Sequence, residues 1–433
     1  MELFFIGGII FPLFILSIFL SWKYPLAFLA LHISSRAILD AFSFYTYQPV
    51  VHNISFMQIY SMCIIILLSL LLISRKHFCM SCLPAFLPIS LILFSIIISG
   101  FINNNWFDVI EISVKWIYLI LISGLVVYIL NIRSFVDLIY AVWLSLIPSL
   151  ILQLPSIIFS DFVIASGGHA AYFGGYYHQN ILSYFLFGFI VCSAYLFLHN
   201  NSSNIRWLYF ISGSYGMFSL YLCGYRTTLI AVFIFIITII SYIFKNSNHN
   251  RKALFTSFTP IIIFFFVFFL GNDITDKLSD IYIFLKSPLS YLNFSQISEH
   301  ITLFSGRIII INNLMFVFLS SPLETLIAGL GINASISLVG TYPHNEFIAA
   351  LVEFGFLGLL SFLTFILYYM YSIYRSHFKI NIDESVFIGA ALGLLCMTLA
   401  TMPFRDMRAM MLFGLIIGIF YFKIHGVTYL LKN

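Results

Sequence analysis

This sequence predicts an all-α fold, a polytopic integral membrane helical bundle, on three grounds. Hydrophobic residues make up 61% of the chain and charged residues 8%, with a mean hydropathy of +1.04. No water-soluble surface can be assembled from that composition. Apolar runs of about 20 residues recur along the chain, the length a helix needs to cross a hydrocarbon core. The runs are uninterrupted rather than alternating, and in lipid every backbone amide must be satisfied within its own segment or a closed barrel, so helices are expected.

Hydropathy places spans near 3–21, 26–48, 54–74, 83–102, 109–130, 134–159, 181–198, 206–224, 227–244, 254–271, 345–372, 386–402 and 408–424. The expected total is about 12 to 14, in a single membrane domain over 1–433. Met1-Glu2-Leu3 opens into the first apolar run with no basic stretch before it. That run is therefore expected to remain as a span rather than to be removed as a secretory signal.

The 20 Lys and Arg residues orient the bundle. Lys23, Arg75, Lys76, Arg133, Arg206, Lys245, Arg251, Lys252, Arg375, Lys379, Lys423 and Lys432 fall on one set of alternating ends. Cytoplasmic loops carry the excess of basic residues, so this set is read as cytoplasmic and the C-terminus with it. Arg226, Lys277, Lys286, Arg307, Arg405 and Arg408 fall on the opposite face, while Arg36 and Lys115 fall inside spans.

Two segments on that opposite face stand out. A loop over 160–180 is rich in Gly and Tyr, with Gly167, Gly168, Gly174, Gly175, Tyr172, Tyr176 and Tyr177. A second, over 272–344, is roughly 70 residues long where most connections are a few. It concentrates Asp273, Asp276, Asp280, Glu299, His300, Arg307, Glu324 and His344. Within it, Ile308 to Ser320 is too short and punctuated for a span and is expected to form a helix that lies at the interface or dips partway in. Sites gather on loops held by a rigid scaffold, so chemistry is expected on these two segments.

Several function classes fall away. A net charge of +4, mostly from the topological set, makes nucleic acid an unsuitable partner. No repeat of solenoid period is present. Cys79 and Cys82 have metal or redox spacing but no second such pair, Cys63, Cys192, Cys223 and Cys396 lie in spans, and no histidine pair has zinc spacing. Neither a metal nor another cofactor is expected.

Three residues on the less basic face carry a chemical hypothesis. Arg226 lies in the turn Gly224-Tyr225-Arg226-Thr227-Thr228, Arg307 follows Ser305-Gly306, and His344 closes the long loop. Guanidinium groups offer paired donors to phosphate oxygens, and two facing each other would clamp a diphosphate. One contact at about 4 Å is worth roughly 4 kcal/mol at an effective dielectric near 20, before desolvation. Asn345 can cap the helix that follows and Glu346 falls in its first turn. The His344 imidazole would then lie near the positive end of that helix, which favours the neutral ring a general base requires. The bland alternatives are a headgroup anchor for Arg226, an ion pair of Arg307 with Glu299 or Glu324, and an ordinary hydrogen-bonded interfacial His344. Arg405 and Arg408, on either side of Asp406, are expected to be exposed and to touch headgroups or substrate.

Pro343-His344-Asn345-Glu346-Phe347 followed by Glu353-Phe354-Gly355-Phe356-Leu357-Gly358 resembles the "HN…E-x-G-x-x-G" signature of the O-antigen polymerase and ligase superfamily. Ser305-Gly306-Arg307 with Ser321-Pro322 and Gly329-Leu330-Gly331 resembles its "GR…P…G-x-G" segment. Gly224-Tyr225-Arg226-Thr227 resembles its "SR" turn, with Tyr225 where the family commonly has Ser, and Tyr177-His178-Gln179-Asn180 resembles its "N" motif. These matches run in the family's order over roughly 165 to 365.

The resemblance implies an inverting, metal-independent glycosyl transfer at the periplasmic face of a bacterial inner membrane. Its substrate would be an undecaprenyl-diphosphate-linked oligosaccharide, with membrane lipid and a chain-length regulator protein as further partners. His344, Arg307 and Arg226 are the candidate catalytic residues; Asn345, Arg405, Arg408, His178 and Asn180 are candidate substrate-binding residues. The residues point the same way: no Asp-x-Asp pair is present to hold a metal-bound nucleotide, and the basic and imidazole groups lie away from the cytoplasm, where nucleotide sugars are made. A polymerase is the favoured reading; a ligase that passes polymer to lipid A core and a lipid-linked oligosaccharide flippase are the alternatives.

Overall fold

The computed structural model describes residues 12, 15–51, 54–74, 83–164, 170–200, 202–246, 307–377 and 385–430. It is a membrane-embedded, multi-pass helical bundle. A helical stretch over 15–23 leads into α1 (Pro25–Ala41) and a single turn, α2 (Ser43–Thr46). There follow α3 (Phe56–Ser74), α4 (Leu83–Asn103), α5 (Trp106–Ile132), α6 (Phe135–Ile158), α7 (Gln179–His199), α8 (Ser203–Cys223) and α9 (Arg226–Asn246). After them come α10 (Arg307–Leu319), α11 (Leu323–Ala328), α12 (Ala334–Val339), α13 (Glu346–His377), α14 (Ser385–Ala400), a 3₁₀ turn (Pro403–Arg405) and α15 (Met407–Leu430). Two short antiparallel ribbons, Pro49–Val51 with Ile54–Ser55 and Val163–Ile164 with Ala170–Ala171, are the sheet among the described residues.

Seven of the described helices are long and apolar enough to cross a membrane: α3, the greater part of α4, α5, α6, α7, most of α13 and the first part of α15. The apolar parts of α9, α10 and α14 are shorter. The expected spans near 254–271 and over most of 3–21, the portion of the long loop before Arg307, and the Cys79 and Cys82 pair lie outside the described residues.

Three expectations change. The span over 26–48 stops at Ala41, where the chain turns through α2 into the first ribbon. The span over 345–372 is two helices joined at Gly355, whose φ of 69° and ψ of −166° are not helical. The described part of the long loop holds three helices and packs on the bundle: Leu314 and Phe318 of α10 are buried against Leu351 and Val352 of α13. The helix expected over Ile308 to Ser320 is present as α10, but it packs on α13.

Without a hydrophobic drive between helices in lipid, close packing rests on small residues. Gly414 and Gly418 of α15 lie against Leu119, Ile122, Ser123 and Val126 of α5, and the Ser123 hydroxyl donates to the Gly414 carbonyl at 3.0 Å. Gly389 and Gly393 do the same for α14 against Phe235 and Ala231 of α9. Large apolar residues such as Phe101, Ile73 and Leu367 are exposed on the outside. That arrangement suits a surface solvated by acyl chains.

The tightest crossing joins the two glycine motifs. Gly329 (φ 86°) and Gly355 (φ 69°) bring the end of α11 onto α13 so closely that a Cβ on Gly329 would lie 2.2 Å from the Glu353 carbonyl carbon, and one on Gly355 2.2 Å from the Ile327 carbonyl oxygen. The Leu330 amide donates to Val352 at 2.8 Å, the Ser99 hydroxyl to the Glu353 carbonyl at 2.7 Å, and the Asn103 side chain to the Gly329 carbonyl at 3.1 Å. Beside the crossing the fully buried Glu353 carboxylate accepts from Arg405.

Gly355→Ala combines an unfavourable φ with a backbone clash and is expected to cost about 3 kcal/mol or more. Gly340 has the same sign of φ (74°), but a Cβ added there would meet nothing within 4 Å, so Gly340→Ala should cost only about 1 kcal/mol. Thermal unfolding of the two variants in detergent measures the difference, and equal losses would remove the close-approach argument.

Candidate functional site

The C-terminal end of α14 organises the site. Asn345 caps α13, its Oδ1 accepting from the amides of Phe347 at 2.9 Å and Ile348 at 3.1 Å, as the sequence anticipates. Its Nδ2 donates to the Leu399 carbonyl at 3.0 Å. Arg307, first residue of α10, donates from Nη1 to the next carbonyl, Ala400, also at 3.0 Å. Two consecutive carbonyls that α14 cannot satisfy internally are thus taken by Arg307, within the long loop, and by Asn345, just after it. A cation at this negative helix end is favoured by the macrodipole as well.

His344 is thereby drawn to Arg307. Its backbone lies in the left-handed region at φ 51°, a conformation that costs a non-glycine residue on the order of 1 kcal/mol or more and so has to be imposed by its surroundings. The ring is half-buried. Burial lowers its pKa below the ordinary histidine value, and the nearby charges of Arg307 and His178 lower it further. Both effects favour the neutral form of the ring.

His178 arrives from the Gly- and Tyr-rich loop and starts α7, its Nδ1 accepting from the Asn180 amide at 3.2 Å. Its ring stands edge-on to Tyr225 with centroids 6.4 Å apart. Asn180 serves inside the helix start, its carbonyl accepting from Ser183 at 2.8 Å. Tyr225 occupies the turn after Gly224, whose φ of 72° ends α8. It is close enough to Arg307 for the two to interact electrostatically, and with Tyr184 it approaches the Thr401 hydroxyl. Arg226 follows directly as the half-buried first residue of α9.

The structure therefore gathers His344, Arg307, His178 and Tyr225 at one pole of the bundle, opposite the pole of Arg133, Arg206 and Arg375. Arg226 is placed at that pole by its neighbour. The Arg307 alternative in Glu299 lies outside the described residues.

Arg405 and Arg408 correct an expectation. Both are largely buried rather than exposed, with side-chain exposures of 13% and 9%. Arg405 pairs with Glu353 and lies over the Phe354 ring. Arg408 is held by Asp40 through Nε at 2.7 Å and through Nη2, by Asp406 at 3.2 Å and by the Tyr47 hydroxyl. Asp40 also accepts from Arg36 Nε at 3.1 Å, so one buried carboxylate ties α1 to α15. A sequence places arginines beside a span end, but the carboxylates that claim them come from positions 40 and 353, too distant in the chain for any local pattern to show.

Three participants were not singled out from sequence as functional. Tyr225 stands where a hydroxyl residue is expected, so its own hydroxyl was the available signal. Thr401 carried none. Glu346 is buried in the first turn of α13, and its Oε2 has no hydrogen-bond partner among the described residues.

No protein-family model matches the chain, and no curated protein matches it significantly.

A depressed pKa means that His344 binds its proton less readily in the folded protein, so the neutral ring persists as the pH falls below the ordinary value and charging it costs stability. Diethyl pyrocarbonate attacks neutral imidazole alone, and its modification of His344 followed by peptide mass spectrometry should show a midpoint below about 6.5. Arg307→Ala, which removes one of the charges lowering it, should move that midpoint upward; a midpoint at or above 6.5 in the unaltered chain contradicts the assignment.

Proposed function

We propose that the chain is a metal-independent glycosyltransferase of the O-antigen polymerase and ligase type, acting on a polyprenyl-diphosphate-linked oligosaccharide at the His344 pole. That pole is read as facing the periplasm of a bacterial inner membrane, because the basic residues of the positive-inside set lie at the other. The observation that carries the proposal is the pairing of a half-buried imidazole, biased to its neutral form, with the Arg307 guanidinium at one end of a membrane bundle. An acid/base group beside a guanidinium in that position suits a substrate whose diphosphate is anchored in the bilayer and whose sugar is not.

In this reading His344 removes the proton from an acceptor sugar hydroxyl as its oxygen bonds to the anomeric carbon. The bond from that carbon to the diphosphate oxygen breaks, and the polyprenyl diphosphate leaves with the electron pair. Arg307, with Arg226 at the same pole, offsets the charge that grows on the leaving oxygen. Diphosphate is a competent leaving group once so neutralised. Tyr225 and His178 border the two groups and orient them. The transfer inverts the anomeric centre, since attack and departure occur on opposite sides in one step. As a polymerase, the chain moves the growing polymer onto a new lipid-linked repeat unit.

Expression in a bacterial strain lacking its own polymerase tests this. A ladder of lipopolysaccharide lengths where single repeats stood before supports a polymerase, whereas attachment of free lipid-linked polymer to core supports a ligase. His344→Ala and Arg307→Ala should each lower product by about 100-fold or more with membrane insertion unchanged. An undiminished ladder from His344→Ala ends the general-base role.

A further inference from the structure

A cavity with several charged side chains in an otherwise largely apolar wall opens at the same pole and shares no lining residue with the His344 group. It measures about 240 Å³ and is walled by α1, the start of α3, the first turns of α5 and the 3₁₀ turn with the start of α15. Its charged lining is Arg36, Lys115, Arg405 and Arg408 against Glu111 alone. The carboxylates that pair with the three arginines, Asp40, Glu353 and Asp406, are set back from the wall, the first two with fully buried side chains. The cavity therefore presents cations at its surface and keeps its anions behind them.

Two of these groups are not consumed by the bundle. Arg405 keeps Nη1 buried without a hydrogen-bond partner among the described residues. Lys115 is held at 2.7 Å by Glu111, one turn away and 42% exposed, a pair that does not join helices. A lysine within a span is costly unless it serves a site. The lining also includes Met62, Phe107 and Ile110, which are exposed residues of the membrane-spanning helices α3 and α5. Part of the cavity wall is thus made of apolar residues that are exposed on spanning helices.

We propose that this cavity binds the phosphate head of a membrane amphiphile that enters laterally from the bilayer. The guanidinium groups and Lys115 supply donors of the geometry and charge that phosphate oxygens require, and the apolar part of the wall lets the tail remain in lipid. The cavity is separate from the His344 group, so this assignment holds whether or not the chain transfers sugars.

Binding to the purified, delipidated full chain in detergent tests it, with dioctanoyl phosphatidic acid, dioctanoyl phosphatidylcholine and inorganic phosphate as probes. Phosphatidic acid should bind at least about tenfold more tightly than phosphatidylcholine, and inorganic phosphate should not displace it. Lys115→Ala should weaken it about tenfold, the loss of one charge-assisted contact. Met62→Trp, which narrows the cavity at that apolar wall without touching a charged group, should weaken it as well, and carries the test if Lys115→Ala misfolds. Equal affinity for the two lipids, unchanged binding in both variants, or displacement by inorganic phosphate overturns the proposal, the last by assigning the cavity to a soluble anion.

Discussion

The backbone crossing at Gly329 and Gly355 holds the His344 pole in place. Here α11 and α13 meet at a distance that excludes any Cβ; the Leu330 amide bonds across the crossing to Val352, and Ser99 and Asn103 of α4 donate to the carbonyls of Glu353 and Gly329 on its two sides. The crossing breaks α13, so that its first turns run from Asn345 to the glycine in a direction the remaining span does not share. Those first turns carry His344 at their head. A buried carboxylate, Glu353, lies between the two glycine motifs and receives Arg405 from the segment after α14, which draws the end of α14 toward the same place.

From that arrangement the site follows with few further contacts. The carbonyls of Leu399 and Ala400 are ones a helix terminus leaves open, and they are taken by Asn345 and Arg307. The described part of the long loop, at Arg307, and the helix start that follows it, at Asn345, are thereby fastened to one helix end, which makes the imidazole and guanidinium neighbours. Electrostatics then acts on the histidine: burial first, and the neighbouring Arg307 guanidinium next, make the charged ring unfavourable. A histidine in the left-handed region at a capped helix start is a strained arrangement, and strain retained at such a point is consistent with a role beyond packing.

The arginines of this chain divide by what claims them. Arg36 and Arg408 share Asp40, joining the first and last described long helices of the bundle, while Arg405 answers Glu353. Buried pairs of this kind add little net stability, because desolvation offsets their attraction, but removing one partner is expensive. Arg408 with Asp40 joins α15 to α1, and Arg405 with Glu353 joins the 3₁₀ turn to α13. Arg307, by contrast, bonds a backbone carbonyl rather than a carboxylate. The same division leaves the wall of the lateral cavity cationic at its surface although its surroundings are electrically balanced.

The class of the molecule and the periodic part of its architecture were legible before any coordinates. Composition and apolar run length give a helical membrane bundle, and the expected spans at 54–74, 83–102, 109–130, 134–159, 181–198 and 227–244 fall on described helices within a few residues. The Asn345 cap and the placement of Arg307 and His344 at one pole could be read as well, because capping and charge sidedness are local properties. The break at Gly355, the folding of the stretch before His344 into packed helices, the burial of Arg405 and Arg408, and the entry of Tyr225 and Thr401 into the site emerge only in three dimensions. Each of those depends on a partner far away in the chain, whether a carbonyl at 327, a carboxylate at 40 or 353, or the helix end at 400. Hydropathy records how a segment meets lipid; which segments meet one another is set by close packing and by the pairing of buried charges, and neither leaves a mark on any single stretch of sequence.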